Sequence, residues 1–174
     1  HEALNAIQSA QRPIIVAGGG TKYSKSSSEL IEFAEKLNIP IATSLNGKDL
    51  IHSSHPLSCG VVGTYSRESA NLAVKAADLV IFIGSETSSM TTHFWTVPDD
   101  KTRVIQIDIE PENLGRNYLL EVAIQGDAKA ILERMNRLSS ALTIHERTDW
   151  LEHIQELRRD WYHKYKPLME SDAN

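Results

Sequence analysis

The run Leu79-Val80-Ile81-Phe82-Ile83 is apolar at every position and closes on Gly84. Such a strand must be covered on both faces, the condition of a strand inside a parallel sheet. The rest of the chain repeats the theme. Pro13-Ile14-Ile15-Val16-Ala17 ends in Gly18-Gly19-Gly20. Ile39-Pro40-Ile41-Ala42-Thr43 carries its proline at the strand start, where a missing N–H is tolerated. Arg103 to Asp108 reads as a further strand and Glu121 to Gln125 as a weaker one. Helical stripes lie between them: Leu30, Phe33, Ala34 and Leu37, then Ala70, Ala73, Val74 and Ala77. A third stripe runs through Ala128, Ile131, Leu132, Met135 and Leu138. Ser26 and Glu29 stand at capping-box spacing and predict the start of the first of these helices. A long terminal helix over Arg147 to Tyr165 sets Trp150, Ile154, Leu157 and Trp161 on one side before the chain trails into Pro167. Strands alternating with helices predict an α/β domain of Rossmann-like, doubly wound type, with a mostly parallel sheet flanked by helices. Residues 45–66 form a long glycine-, serine- and histidine-rich connection, expected to be functional or to hold small elements of its own.

Bulk properties narrow the function. A length of 174 residues fits one domain with a real core. The net charge is −5 and the basic residues are scattered, which argues against a nucleic-acid partner. The longest apolar run, Asp78 to Gly84, is too short to cross a bilayer, so no membrane partner is expected. Cys59 is the single cysteine, which excludes an internal disulfide and a multi-cysteine zinc site. No charged-then-apolar leader opens the chain, and a cytoplasmic location is the expectation. His1 at the start and the polar end after Pro167 read as cuts through a longer polypeptide, or as trimmed ends.

In parallel sheets, ligands bind at the carboxyl ends of the strands. Here those ends are Gly18 to Gly20, Ser44 to Asn46, Gly84 to Ser89, Asp108 to Glu110, and Gly126 with Asp127. The triple glycine would let a pyrophosphate approach the backbone, but Tyr23 stands where the third glycine of a dinucleotide fingerprint belongs. A tight turn explains it equally well. The same two readings apply to Gly60-Val61-Val62-Gly63. Gly84-Ser85 follows the most hydrophobic strand and is the better-placed floor for a ligand. Asp108 could accept from ribose hydroxyls or cap a short helix opened by Pro111; Asp127 reads first as a helix cap. His52 and His55 lack a third ligand at metal-binding spacing. No Gly-x-Ser-x-Gly, Walker lysine motif or His-Glu-x-x-His occurs, so neither a catalytic nor a metal residue is assigned.

Taken in order, these stretches resemble the central domain of thiamine-diphosphate-dependent enzymes of the acetohydroxyacid synthase, pyruvate oxidase and benzoylformate decarboxylase type. The resemblance rests on Arg12 to Gly20, Asn38 to Lys48, His55-Pro56-Leu57, Ala77 to Ser85, Val104 to Pro111 and Gly126-Asp127-Ala128. It covers roughly Ala10 to Leu138. It implies a central domain over residues 1–142, with 143–174 a linker helix toward a missing C-terminal domain.

The resemblance further implies a parent acting on 2-oxo acids as a lyase or transferase, a homodimer or homotetramer. Its N- and C-terminal catalytic domains would hold thiamine diphosphate and Mg²⁺. The present piece would be structural and inactive alone. Relatives hold FAD, ADP or nothing in this domain. The matching cofactor positions are Gly18, Gly19, Gly20, Ser44, Leu45, Asn46, Gly60, Gly63, Gly84, Ser85, Asp108, Ile109, Asp127 and Ala128. One departure stands out. Flavin-binding relatives often carry Arg directly after the Gly84-Ser85 position, and here it is Glu86, which would repel a diphosphate. Two other readings remain at this point: a stand-alone NAD-type nucleotide-binding domain, and a non-catalytic binding module that uses the terminal helix.

Overall fold

The computed structural model describes residues 1–143 and 145–170. Six strands form one sheet: β1 (Pro13–Ala17), β2 (Ile41–Thr43), β3 (Ser58–Val61), β4 (Leu79–Ile83), β5 (Arg103–Asp108) and β6 (Val122–Gln125). Every pairing is parallel, and the spatial order is β3-β2-β1-β4-β5-β6. The order reverses between β1 and β4, so the chain winds outward from the middle in both directions. The helices are α1 (Glu2–Ser9), α2 (Gly19–Tyr23), α3 (Ser27–Leu37), α4 (Glu68–Ala76), α5 (Ala128–Ser139) and α6 (Thr148–Met169).

The period-2 geometry of a strand explains why the apolar runs need two covers. On β1, Ile15 and Ala17 join a core with Leu4, Phe33 and Leu132 of α1, α3 and α5. Ile14 and Val16 face the other way, into a core with Ala73 of α4 and with Trp150 and Ile154 of α6. Phe33 on one face and Phe82 on the other are fully buried, each burial stabilising by roughly 1.5–3 kcal/mol. The strands enter the sheet together because Asp78 clamps them. Its two carboxylate oxygens accept the N–H groups of Gln11 and Arg12 at 2.8 and 2.9 Å.

Three local features depart from the sequence reading, and the 45–66 connection holds small elements of its own as expected. α1 is a helix where no element was expected; Ala3, Leu4, Ala6 and Ile7 are its buried stripe. The 45–66 connection contains edge strand β3 and a short 3-10 turn at Leu45–Gly47. Ser58-Cys59-Gly60-Val61 has weak strand propensity, and pairing with β2 supplies what propensity does not. The capping box does not form: Ser26 is buried, and its Oγ donates to Thr21 O at 3.0 Å instead of capping α3. Finally, α6 continues past Tyr165 to Met169, with Pro167 in its last turn.

The first half of α6 packs on this core. Trp150 and Ile154 are buried, and Trp150 Nε1 donates to Pro13 O at 2.9 Å. Arg147, just before the helix, donates to the carbonyls of Ile7, Ala10 and Leu37.

Candidate functional site

Register places the candidate residues in one row. Ala17 lies opposite both Thr43 and Ile83, and Ile83 lies opposite Ile107. The next residues along these strands, Gly18, Ser44, Gly84 and Asp108, therefore emerge together at the carboxyl edge. A cleft of about 530 Å³ opens there. Of the fourteen sequence-assigned positions, Gly19, Gly20, Ser44, Leu45, Asn46, Gly84, Ser85, Asp108 and Ile109 line it. Gly18, Gly60, Gly63, Asp127 and Ala128 are not among the lining residues.

The glycines meet backbone. A Cβ on Gly18 would lie 2.2 Å from Gly84 O, and one on Gly20 would lie 2.9 Å from Gly84 Cα. Gly84 itself has φ +57°, and its Cβ would lie 2.4 Å from Thr21 N. The β1 and β4 loops are thus pressed together with no room for a side chain. Their N–H groups are engaged across that contact: Gly18 N–H donates to Ile83 O at 2.8 Å and Gly20 N–H to Gly84 O at 2.9 Å. Thr21 Oγ1 adds a bond to Ile83 O at 2.7 Å. Two of the donors at this turn, the Gly18 and Gly20 N–H groups, are therefore used within the protein. Of Gly18, Gly19 and Gly20, only Gly19 is clear of other backbone: an added Cβ would meet the side chains of Asn46 at 3.3 Å and Tyr23 at 3.9 Å.

Gly60 and Gly63 have the same kind of explanation. A Cβ on Gly63 would strike Met90 O at 2.0 Å, where the loop after β4 crosses. Gly60 has φ +91° and leaves room for the stem of Arg67, whose Cδ would lie 2.9 Å from a Cβ there. Asp127 caps α5, its Oδ1 accepting the Ala130 N–H at 3.1 Å. Ala128 is the first residue of that helix and is buried.

The polar groups of the cleft are tied internally. Ser44 Oγ accepts the Gly47 N–H at 3.2 Å. Ser85 is buried; its carbonyl accepts from Gln106 Nε2 at 3.1 Å. Asp108 is 6% exposed, and its Oδ1 accepts from Glu110 N at 3.0 Å and Asn113 Nδ2 at 3.3 Å. Asp108 therefore caps the turn that Pro111 opens. No Lys, Arg, His or Cys lines the cleft, whereas three carboxylates do: Glu86, Asp108 and Glu110. A diphosphate would meet like charge with no counter-charge. The residues present do not fit one.

Sequence reasoning assigned Leu45 and Ile109 but missed the other large rim residues, Tyr23, Tyr65 and Met90. Tyr23, Leu45, Tyr65, Met90 and Ile109 all line the cleft and all are exposed, Tyr23 at 89% and Tyr65 at 71%. Large apolar groups in an unassigned loop were the available signal. Elsewhere, His52 Nδ1 bonds Ser54 Oγ at 2.6 Å, and His55 Nε2 bonds Glu35 Oε1 at 3.1 Å. His55 Nδ1 accepts the Leu57 N–H, so Nε2 carries the proton. Among the described residues no group of three or more His, Cys, Asp or Glu could hold a metal ion. Likewise, no helix among them is long and apolar enough to cross a membrane. Cys59 is buried, and burial pushes its thiol up to about 12.

Fold and cleft together define a doubly wound α/β domain with an acidic cleft at its carboxyl edge. The family model for the thiamine pyrophosphate enzyme central domain matches residues 1–135. The chain belongs to that family. It is 37% identical over 158 residues to the "Probable acetolactate synthase large subunit" of Methanocaldococcus jannaschii, covering 91% of this chain and 27% of that protein. It is 32% identical over 170 residues to "3D-(3,5/4)-trihydroxycyclohexane-1,2-dione hydrolase" of Clostridium perfringens, covering 96% of this chain and 26% of that protein. A 32% match over 171 residues links it to "Acetolactate synthase large subunit" of Haemophilus influenzae, at 98% and 29% coverage. The chain thus spans between a quarter and a third of the length of the curated relatives it matches.

Proposed function

We propose that this chain is the central, non-catalytic domain of a thiamine-diphosphate-dependent enzyme that decarboxylates or condenses 2-oxo acids. In this reading it packs between two catalytic domains and walls the active-site entrance, with α6 leading toward the second of them. The observation that carries the reading is the carboxyl edge. Two of its turn donors, the Gly18 and Gly20 N–H groups, are engaged in loop–loop bonds, its cleft is acidic, and its mouth is ringed by exposed apolar side chains. Exposed apolar rims of this kind call for a protein cover. The names of the relatives point the same way, toward acetolactate-forming chemistry.

Thiamine diphosphate and Mg²⁺ would be held by the neighbouring domains. Asp127, the acid of the only Gly-Asp pair, is occupied as a helix cap. The carbanion chemistry belongs to the thiamine cofactor. This chain's part is to hold shape and exclude water. An NAD-type stand-alone domain is not favoured, because the diphosphate of NAD would meet Glu86, Asp108 and Glu110 with no lining cation to offset them.

The test uses the full-length polypeptide that contains this chain. Expected are thiamine-diphosphate-dependent decarboxylation of a 2-oxo acid and no flavin absorption in the visible. Activity indifferent to thiamine diphosphate, or stoichiometric bound FAD, would overturn the reading.

A further inference from the structure

We propose that a second pocket, walled by α4, α6 and the segment around Ser53 and Ser54, binds the phosphate group of a small molecule. The pocket has a volume of about 360 Å³ and shares no lining residue with the carboxyl-edge cleft. Its charge is opposite. Arg67, Arg158 and Arg159 line it, and among the described residues no Asp or Glu does.

Arg67 and Arg158 are held without an acid. The Arg67 guanidinium lies 4.8 Å over the Trp161 ring, which fixes its plane by stacking. Among the described residues it has neither a hydrogen-bond acceptor nor a carboxylate partner, so its N–H donors are uncommitted. Gly60 is what lets its stem lie so close to the edge strand. Arg158 is clamped by neutral oxygens: Ser53 O at 3.1 Å, Pro56 O at 3.0 Å, His55 O at 3.2 Å and Gln155 Oε1 at 3.3 Å. None of these bonds uses its Nε. Burial holds this guanidinium below its ordinary value, and the nearby Arg67 charge acts in the same sense. Two like charges brought together and partly desolvated are unfavourable unless an anion joins them.

The wall between them adds donors. Ser69 is 3% exposed, lines the pocket, and its Oγ has no hydrogen-bond partner. It stands at the second position of α4, a nine-residue helix whose N-terminal end favours an anion. Among the described residues no carbonyl accepts the N–H of Glu68 or Ser69. Glu68, on the same turn, is engaged by Lys164 at 2.7 Å and does not line the pocket. Arginine forks, a buried hydroxyl and open N–H groups at a helix start suit the several oxygens of a phosphate dianion better than a single carboxylate.

Calorimetric titration of the full chain with inorganic phosphate and with glycerol phosphate, at constant ionic strength, tests the assignment. Saturable one-to-one binding is expected. Tighter binding of the ester assigns an organic phosphate, and equal affinity assigns the free ion. Arg67→Gln should weaken binding about tenfold and the exposed Arg159→Gln by less, with the urea midpoint of both variants unchanged. Lys129→Gln, on α5 and outside the pocket, should leave binding as it was. Absence of saturable binding of either probe, or binding indifferent to Arg67→Gln and Arg159→Gln together, overturns the proposal.

Discussion

Replacing Gly18 by alanine decides whether the triple glycine serves packing or a ligand. The new Cβ would lie 2.2 Å from Gly84 O, 2.8 Å from Gly84 C and 2.8 Å from Ser85 Cα. All three are backbone atoms, so no rotamer change relieves the clash. The β1 and β4 loops must separate by roughly 1 Å to restore ordinary contact. That separation breaks or weakens the bonds from Gly18 N–H to Ile83 O and from Gly20 N–H to Gly84 O. Overpacking of this kind costs about 1–3 kcal/mol and each lost bond about 1 kcal/mol. The sum, about 3–5 kcal/mol, is a large share of the roughly 5–15 kcal/mol that holds a domain folded. The melting temperature should fall by roughly 2–4 °C for each kcal/mol. Gly19→Ala is the control. Its Cβ would meet only Asn46 Cβ at 3.3 Å and Tyr23 Cε2 at 3.9 Å, and alanine suits a helix better than glycine. A change within about 1 kcal/mol is expected. Urea unfolding followed by circular dichroism measures both. Gly18→Ala as stable as the parent, or Gly19→Ala the more damaging of the two, would refute the packing argument.

Asp127→Ala removes the α5 cap and should cost about 1 kcal/mol by denaturant titration; no loss would mean that the carboxylate serves something other than Ala130. Cys59 should resist thiol reagents at pH 8 in the native state and react at once in urea. With its thiol near 12, only about one molecule in ten thousand carries the thiolate at that pH, so rapid native labelling would contradict the burial. The folded thiol keeps its proton to higher pH than the unfolded one. Its contribution to stability is therefore full below the unfolded value of about 8.5 and is lost as pH rises toward the folded one. Glu86→Arg should raise ADP affinity at least about tenfold, by exchanging a repelling charge for an attracting one; unchanged affinity would show that charge is not what closes the cleft.

The sheet was legible because its strands are apolar on both faces, and only a parallel arrangement covers them. Gly84 and Asp108 were legible as strand ends for the same reason. β3 was not, because Ser58-Cys59-Gly60-Val61 lacks a β-branched or aromatic run and owes its form to the neighbouring β2. Ser26 misled through spacing alone: capping needs a hydroxyl free to turn toward the helix, and Thr21 O captured it. The glycines were found but not explained. A sequence shows that a position lacks a Cβ; it does not show whether a ligand or another loop fills the space. At Gly18, Gly20 and Gly63 the answer is backbone from a loop about sixty-six, sixty-four and twenty-seven residues away, which no local pattern encodes. The Arg67 pocket was invisible for a related reason, since its cations come from α4 and α6, far apart in the chain and joined only by packing.

Equilibrium dialysis of the chain against FAD and against ADP tests the central claim most directly. If the carboxyl edge serves contact between domains, neither ligand binds saturably at millimolar concentration. One-to-one binding of either at about 10 μM or tighter would contradict the account, since the loop–loop bonds and the acidic lining leave no other source for such an affinity.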